Sequence, residues 1–391
     1  MPTAGAISTE SPGKWNCPSR LVSRSLDWRF RMASMSQFLP LPAARRLLAE
    51  HSVDERYLKR KRAWLTFLRI LEPLRWYENL RWGATIRRTE LAGPPLFLLG
   101  FGRSGTTHLH NLIWQDPQFG GVTNYQAAMH PIALMGRKWL PRLFADRLPA
   151  KRPMDNVAIS LDGPQEEEMA MINATEHAPL HVMSFPQAIP ELYDRYVVDL
   201  GKDPVATEGW KKGYMEVLRK ATILSDHKRL VLKTPPNTAR VKVLLEMFPD
   251  ARFVNIVRNP YPVYQSMRNM YRKTMPGAVL QEFEWDAIDE WTVTGYQKQM
   301  RKYLAERDLI PKGNLVEIRY EDLDAEPIKN LENIYATLGL GDFETVRPRL
   351  EAYLESLGTY EKNKFEFPPD VISTVNENWG FAFDAFGYER Q

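Results

Sequence analysis

The sequence predicts an α/β fold in which a central, mostly parallel sheet is flanked by helices. Two observations support this prediction. Four short apolar runs have the length of buried strands: Leu96–Gly100, Leu230–Lys233, Phe253–Val257 and Leu315–Arg319. A turn and a helical stretch follow each run, and this alternation is typical of a parallel sheet with helices on both faces. With 391 residues, the chain is long enough to bury a sizeable core in one large domain or two modest ones.

The patterns along the chain predict four regions. Residues 1–25 are expected to form a flexible tail, and residues 26–93 a helical N-terminal region. Residues 94–345 are expected to form the α/β core, which contains a long helical insert over about residues 116–227. Residues 346–391 are rich in aromatic residues and interrupted by proline, and we expect them to wrap the same domain.

The composition limits the classes of function. The net charge of +4 is a mild basic excess that suits an anionic small ligand better than a duplex nucleic acid. Cys17 is the single cysteine, which excludes an internal disulfide framework and a cysteine-rich metal site. No stretch approaches the ~20 apolar residues of a membrane span, and the N-terminus lacks the apolar segment of a secretion signal. We therefore expect a cytoplasmic protein, and no pattern indicates an oligomeric state.

A basic, aromatic helical segment precedes the first strand. Basic residues crowd Glu55–Trp64, and aromatic residues are frequent in Leu74–Trp82. Such a segment is typical of a solvated face on a packed helix. It is also the pattern of a helix that lies on an anionic membrane surface, so peripheral membrane association is a second interpretation.

The turn after the first strand has the spacing of a phosphate-binding loop. Gly100 and Gly105 bracket four residues, and a helix is predicted to begin directly afterwards. The glycines allow successive backbone N–H groups to converge on anionic oxygens at the helix N-terminus. Arg103 adds a positive charge, and Ser104, Thr106 and Thr107 add hydroxyl groups. The lysine that ATP- and GTP-binding loops place after the last glycine is absent.

A second anion pocket is predicted after the third strand. Arg258 ends this strand, and Ser266 lies eight residues later in a helix that begins near Pro260. Side chains at the carboxyl ends of neighbouring parallel strands meet at one edge of the sheet. The two pockets together predict a site for a ligand with two anionic groups.

These segments resemble the sulfotransferases that use 3′-phosphoadenosine 5′-phosphosulfate (PAPS), in particular their broad, largely bacterial branch. The resemblance rests on GFGRSGTTHLHNL, RLVLKTP, FPDARFVNIVRNPYPVYQS and IRYEDL, and it covers roughly Pro94 to Gly339. It implies a P-loop-like three-layer fold, PAPS as sulfonate donor, and 3′-phosphoadenosine 5′-phosphate (PAP) as product. It further implies a small-molecule acceptor with a hydroxyl, no metal and no nucleic-acid partner.

The resemblance also assigns donor-binding residues. They are Gly102, Arg103, Ser104, Gly105, Thr106, Thr107, His108, Arg258 and Ser266. The loop would hold the 5′-phosphosulfate, Arg258 and Ser266 the 3′-phosphate, and His108 would stack on the adenine. A single 5′-phosphate with a terminal sulfonate carries less charge than a triphosphate, which explains a loop without its lysine.

Sulfonate transfer needs hydrogen-bond donors near the oxygen between phosphorus and sulfur, and a base for the acceptor hydroxyl. The resemblance assigns the first role to Lys233, at the end of the second strand, together with Arg103 of the loop. Animal cytosolic sulfotransferases carry a histidine base two residues after this lysine, but Pro235 occupies that position here.

The base is therefore assigned to Glu167 or Glu166. Glu166, Glu167 and Glu168 are predicted to lie in the first turn of a helix that starts at Pro164, with Asp162 or Gly163 as its cap. Acidic residues stabilise such a position through the helix dipole, which is the simpler explanation for them. Three consecutive carboxylates exceed what capping requires, however. The rival candidates for the base are His110, His177 and His181.

Three functions stay open on the sequence. The first is a PAPS-dependent sulfotransferase for an alcohol, sterol, lipid or phenol, since Met129–Phe144 and Met183–Tyr193 are rich in apolar residues. The second is a P-loop kinase or nucleotide hydrolase, for which the phosphate lysine and an acidic magnesium ligand are missing. The third is a non-catalytic nucleotide- or lipid-binding protein on the same fold.

Overall fold

The computed structural model describes residues 38–141, 160–357 and 367–391. Within these ranges five strands form one parallel sheet, namely β1 Leu96–Leu99, β2 Phe119–Gly120, β3 Arg229–Lys233, β4 Arg252–Val257 and β5 Leu315–Arg319. Their order in the sheet is β2-β3-β1-β4-β5. The predicted α/β class is confirmed, and each of the four predicted strands agrees with the structure to within one residue at either end.

Strand β2 is the one that the sequence did not predict. It contains only Phe119 and Gly120, and it pairs with Arg229 and Leu230 of β3. Two residues are too few to produce a strand pattern in the sequence. A Cβ atom on Gly120 would lie 2.3 Å from the Cβ atom of Ser225, so this edge of the sheet has room only for glycine.

Helices precede the sheet, connect its strands and follow it. In chain order the α-helices of the described residues are α1 Leu41–Glu50, α2 Leu58–Arg88, α3 Thr106–Ile113, α4 Asn124–Met129, α5 Ala133–Gly136, α6 Glu167–Met171, α7 Ile189–Tyr193, α8 Pro204–Leu224, α9 Val241–Met247, α10 Pro260–Ala278, α11 Trp285–Glu306, α12 Tyr320–Ala325, α13 Pro327–Leu338, α14 Arg347–Leu357 and α15 Pro369–Phe386. The tail predicted for residues 1–25 lies outside the described residues.

The side chains of β1 alternate between two buried layers, as the pleat of a strand requires. Leu96 and Leu98 join the apolar cluster that contains residues of α3, α13 and α14. Phe97 and Leu99 join the cluster on the other face, which contains residues of α8, α10, α11 and α15. The sheet therefore lies between two helical layers, with an apolar core on each face.

The carboxyl ends of β3, β1 and β4 lie side by side. Leu98 of β1 is in register with Lys233 of β3, and Leu99 is in register with Asn255 of β4. After β1, the chain forms β2 and β3 on one side of β1 and then crosses to form β4 on its other side. Sheets of this kind bind ligands outside the strand ends at such a reversal of order, which is where the predicted site falls.

The N-terminal helices pack on the insert. Helix α2 has 31 residues and contains Pro73, and its buried side includes Trp64, Leu68 and Ile86. Within the described ranges, none of the helices has the combination of length and apolarity that crossing a bilayer requires.

Candidate active site

The loop after β1 combines positive backbone φ angles with the N-terminus of a helix. Gly100, Arg103 and Gly105 have φ values of 144°, 70° and 94°, and α3 begins directly after Gly105. A Cβ atom on Gly105 would lie 2.3 Å from the ring of Tyr320, so a larger residue would displace that ring. The N–H of Gly100 donates to the hydroxyl of Thr238 at 2.7 Å. These contacts fix the loop between the end of β5 and the segment that follows β3.

The structure places the two predicted anion pockets next to each other. Arg103 Nε donates to Ser266 Oγ at 2.9 Å, and Arg258 Nη1 donates to the carbonyl oxygen of Arg103 at 3.3 Å. Arg258 directly follows β4 and Ser266 lies on α10, the next helix, so both reach the loop from the part of the chain that follows β4. Gly102 lies here too, because a Cβ atom on it would be 3.1 Å from the sulfur of Met267.

Tyr320 is a residue of this region that the sequence analysis missed. The guanidinium of Arg258 lies over its ring, 4.3 Å from the centroid, while Gly105 packs on the ring edge. Arg319, the arginine of the same IRYEDL segment, makes its hydrogen bond elsewhere. Arg319 donates to the carbonyl oxygen of Gly387 at 2.9 Å and so holds the C-terminal segment. The signal that could have identified Tyr320 is its position directly after a strand next to β4.

Lys233 lies between the loop that follows β1 and the acidic segment Glu166–Glu168. It ends β3, its side chain is 1% exposed, and its Nζ lies 2.5 Å from Glu166 Oε1. The same Nζ lies 3.4 Å from Thr107 Oγ1. An ammonium group is therefore held between a carboxylate and the hydroxyl at the start of α3.

The acidic segment begins its helix later than the sequence predicted. Helix α6 starts at Glu167, with Glu166 as its N-cap residue. The predicted start at Pro164 is wrong because Pro164 forms an isolated bridge with Thr123, and the carbonyl of Gly163 accepts the N–H of Asn124. Residues before Glu166 are therefore tied to α4 instead of continuing the helix.

Glu167 is fully buried, and both of its oxygens accept hydrogen bonds. Tyr214 and Asn237 donate to Oε1 at 2.9 and 2.8 Å, and the backbone N–H of Lys233 donates to Oε2 at 3.0 Å. Burial raises the pKa of Glu167 to about 7. Tyr214 and Asn237 were not predicted, since nothing in their spacing relates them to Glu167. The side chain of Glu166, in contrast, is 23% exposed.

Glu168 forms a buried ion pair with Arg240. Arg240 Nη1 donates to Glu168 Oε1 and to Asn237 Oδ1, the latter at 3.0 Å. Its guanidinium lies 4.6 Å from the ring centroid of Trp210, and both charged side chains have no exposed area. The pair therefore fastens α6 to the segment that follows β3.

Comparisons with known proteins agree with this geometry. A family model described as the sulfotransferase family matches residues 94–344. The chain belongs to the sulfotransferase family. Omega-hydroxy-beta-dihydromenaquinone-9 sulfotransferase Stf3 of Mycobacterium bovis and that of Mycobacterium tuberculosis are each 33% identical to it over 326 residues, which are 83% of this chain and 83% of theirs. The protein is thus a sulfonate-transferring enzyme, and the family resemblance is confirmed.

Two solved structures show the same fold. Sulfotransferase STF9 of Mycobacterium avium has a TM-score of 0.59 at 19% identity, covering 83% of this chain and 86% of STF9. Sulfotransferase STF1 of Mycobacterium tuberculosis has a TM-score of 0.58 at 17% identity, covering 92% and 97% of the two chains. The predicted P-loop-like fold is therefore confirmed for this sulfotransferase.

Two histidines of the sulfotransferase lie on α3, directly after the loop. His108 is half-buried, and His110 is buried. Burial and the charge of Lys233 lower the pKa of His110 well below its ordinary value. Burial and Lys233 thus both disfavour the charged form of this imidazole.

The other two candidate histidines make their contacts within the insert. His177 Nδ1 lies 3.0 Å from the hydroxyl of Tyr196, and His181 Nε2 lies 2.9 Å from the carbonyl oxygen of Thr175. Burial lowers the pKa of His181 to about 4. These contacts do not involve the residues at the strand ends. Among the described residues, no group of three or more His, Cys, Asp or Glu side chains is arranged to hold a metal ion.

The two apolar segments predicted to line an acceptor pocket contribute largely to the core. Residues of the first segment pack with Tyr125 in a small buried cluster. Residues of the second segment belong to the large apolar cluster that contains Phe97 and Leu99. The buried members are Met129, Ile132, Ala133, Leu134 and Leu140 in the first segment and Met183, Phe185, Ala188, Ile189 and Leu192 in the second. Residues 142–144 of the first segment lie outside the described residues.

Proposed function

We propose that this sulfotransferase moves a sulfonate group from PAPS to a hydroxyl group of an apolar, lipid-like acceptor. The observation that carries the proposal is the position of Lys233. Its Nζ lies 2.5 Å from Glu166, which is partly exposed, and 3.4 Å from Thr107 of the anion loop. Sulfonate transfer needs a hydrogen-bond donor near the oxygen that gains charge and a base for the acceptor hydroxyl, and Lys233 and Glu166 could supply these two groups.

The residues at the strand ends fit a donor with two separate anionic groups. The loop from Gly102 to Thr107 offers backbone N–H groups and hydroxyls at a helix N-terminus, together with the charge of Arg103. Arg258 and the buried hydroxyl of Ser266 reach the other side of Arg103. PAPS supplies an activated sulfonate next to a 5′-phosphate, and its 3′-phosphate falls to Arg258 and Ser266 in this proposal. His108 is proposed to contact the adenine.

Glu166 is the proposed base, in preference to Glu167. Glu166 is the partly exposed carboxylate of the pair, whereas both oxygens of Glu167 are already engaged. In the transfer, the acceptor oxygen forms the new bond to sulfur, the bond between sulfur and the phosphate oxygen breaks, PAP leaves, and Glu166 takes the hydroxyl proton. Lys233 and Arg103 donate hydrogen bonds to the oxygens on which negative charge develops.

The proposed acceptor class is supported by the curated relatives. Both are named for an omega-hydroxylated dihydromenaquinone acceptor, and the match covers 83% of this chain at 33% identity. We therefore propose a hydroxyl group on a long apolar molecule. A cytoplasmic location stays a prediction, which cell fractionation would test.

Ligand-dependent thermal unfolding tests the donor. We expect PAP at 100 times its Kd to raise the free energy of unfolding by about 2.7 kcal/mol without magnesium, and AMP or ATP to do much less. Stabilisation by ATP with magnesium, but not by PAP, would contradict the proposed donor and favour a kinase or nucleotide hydrolase.

Transfer of radiolabelled sulfonate from PAPS tests the acceptor. Primary alcohols on polyisoprenoid chains, sterols, phenols and sugars should be compared at equal concentration. We expect transfer to the long-chain alcohols with the highest kcat/KM. A preference for sugars would refute the apolar acceptor while leaving the donor proposal intact. PAP binding without transfer to any of these acceptors would refute the proposed acceptor class and leave the donor proposal intact.

A further inference from the structure

The solvent-facing side of α2 carries charge of one sign. Its exposed charged residues are Lys59, Arg62, Arg69, Arg81, Arg87 and Arg88. The helix contains two acidic residues, and neither balances this face. Glu72 is half-buried and pairs with Arg75, and Glu78 is buried. The helix contains charges of both signs, but its exposed charged side chains are all basic.

The centre of the same side exposes large apolar residues. Ile70, Leu74, Trp76, Tyr77 and Leu80 are 68%, 39%, 74%, 54% and 87% exposed. They recur at spacings of three and four residues and so share one side of the helix over about three turns. We call these five residues, with the six exposed basic residues around them, the α2 patch. Basic residues occupy both ends of the patch, and its middle is apolar.

The opposite side of α2 fixes the helix to the enzyme. Lys220 Nζ on α8 lies 2.8 Å from Glu78 Oε1, and both side chains are buried. The N–H of Met135 donates to the other oxygen of Glu78 at 3.0 Å. Helix α8 also carries Tyr214, which supports Glu167 in the candidate active site. The α2 patch therefore belongs to a helix anchored to the same element that supports the site.

We propose that the α2 patch binds the surface of a membrane that contains anionic lipids. Tryptophan and tyrosine side chains favour the boundary between lipid chains and headgroups, and the aliphatic residues between them would enter the same layer. The basic residues at both ends of the patch complement anionic headgroups, and the patch lacks exposed carboxylates that would oppose this. This inference does not rest on the proposed reaction, because binding is measured without donor or acceptor.

Vesicle co-sedimentation of the full chain tests the proposal. The vesicles are phosphatidylcholine alone and phosphatidylcholine with one third phosphatidylglycerol. We expect binding to the anionic vesicles, with much weaker binding to the neutral ones and a decline as salt is raised. Because each basic residue near an anionic surface strengthens binding about fivefold, the double variant Arg81→Gln with Arg88→Gln should bind about 25-fold more weakly.

A second double variant, Trp76→Ser with Leu80→Ser, should also lose vesicle binding while keeping its secondary structure and thermal unfolding temperature. Matched controls change exposed residues elsewhere, namely Val205→Ser with Leu309→Ser, and Lys212→Gln with Lys228→Gln. These controls should bind as the unchanged protein does. Equal losses in patch and control variants would overturn the proposal. So would a dimer that dissociates in the Trp76→Ser, Leu80→Ser variant and does not bind vesicles, because a second copy would then cover the patch.

Discussion

The two sides of the candidate active site are built in different ways. At the ends of β1 and β4, the site consists of glycines, hydroxyls and arginines that directly follow strands or begin helices. At the end of β3, it consists of Glu166, Glu167 and Glu168, which come from a helix inside the insert. Their partners Tyr214, Lys233, Asn237 and Arg240 are 47 to 72 residues away in the chain.

The acidic side shows how environment divides the roles of identical residues. Glu166 is partly exposed and faces Lys233, Glu167 is buried among neutral hydrogen-bond donors, and Glu168 is buried against a guanidinium. The three residues are consecutive and chemically identical. Replacing each in turn by glutamine removes one charge at nearly constant volume, so a single series of variants separates catalysis, pH response and stability.

The largest expected effect is that of Glu166→Gln on turnover. If Glu166 accepts the acceptor proton, kcat should fall about 10²- to 10⁴-fold, since general bases contribute on this scale. The KM for PAPS should change little, because Glu166 is not among the proposed donor contacts. Steady-state kinetics with a long-chain alcohol would measure both. The control Glu355→Gln changes an exposed residue of α14 and should behave as the unchanged enzyme. A kcat within threefold of the original would move the base to another group.

Glu168→Gln should chiefly affect stability. Breaking a buried ion pair from one side leaves the other charge uncompensated, which costs about 3–5 kcal/mol. Here Arg240 would remain buried without its carboxylate. Chemical denaturation would give the free energy of unfolding. The control Glu344→Gln breaks a surface pair with Arg347 and should lower the free energy of unfolding far less, because solvent screens an exposed ion pair. Equal costs for the two variants would mean that burial does not set the strength of the Glu168 pair.

Glu167→Gln should change how stability depends on pH. Burial raises the pKa of Glu167 to about 7 from its ordinary value near 4.5. Below pH 4.5 the carboxyl of Glu167 is protonated in both the folded and the unfolded chain, and the protonated carboxyl makes its full contribution to the free energy of unfolding. Between pH 4.5 and 7 the unfolded chain loses this proton first, so stability falls by about 3 kcal/mol as pH rises and then levels off.

Glutamine cannot titrate, so the variant should lack this decline. The free energy of unfolding would be measured from pH 4 to pH 8, and the slope with pH would be compared, because the substitution also alters hydrogen bonds to Tyr214 and Lys233. Glu355→Gln should keep the original slope. A Glu167→Gln slope equal to the original would show that the pKa of Glu167 is the same in the folded and unfolded chains.

The sequence predicted one side of the site more fully than the other for a physical reason. Strand ends and loop glycines are local features, so Arg103, Arg258 and the loop could be placed from periodicity and spacing. Whether Glu166 or Glu167 is buried depends on how α6 packs against α8 and the segment after β3, which no local pattern records. Tyr214 and Asn237 were missed for the same reason, whereas Tyr320 directly follows β5 and could have been predicted from that position. Strand β2 was missed because it is only two residues long.

The smallest effect is expected for Arg258→Ala, which tests the side of the site at the ends of β1 and β4. A hydrogen bond to a charged group contributes about 1.5–3 kcal/mol, so the Kd for PAP should rise about 10- to 100-fold. The Kd for AMP, which lacks the 3′-phosphate, should change little. Calorimetric titration would measure both, with Arg349→Ala as a control at an exposed arginine of α14. Equal losses for PAP and AMP would show that Arg258 acts by holding the carbonyl of Arg103, and hence the loop, rather than by binding the 3′-phosphate.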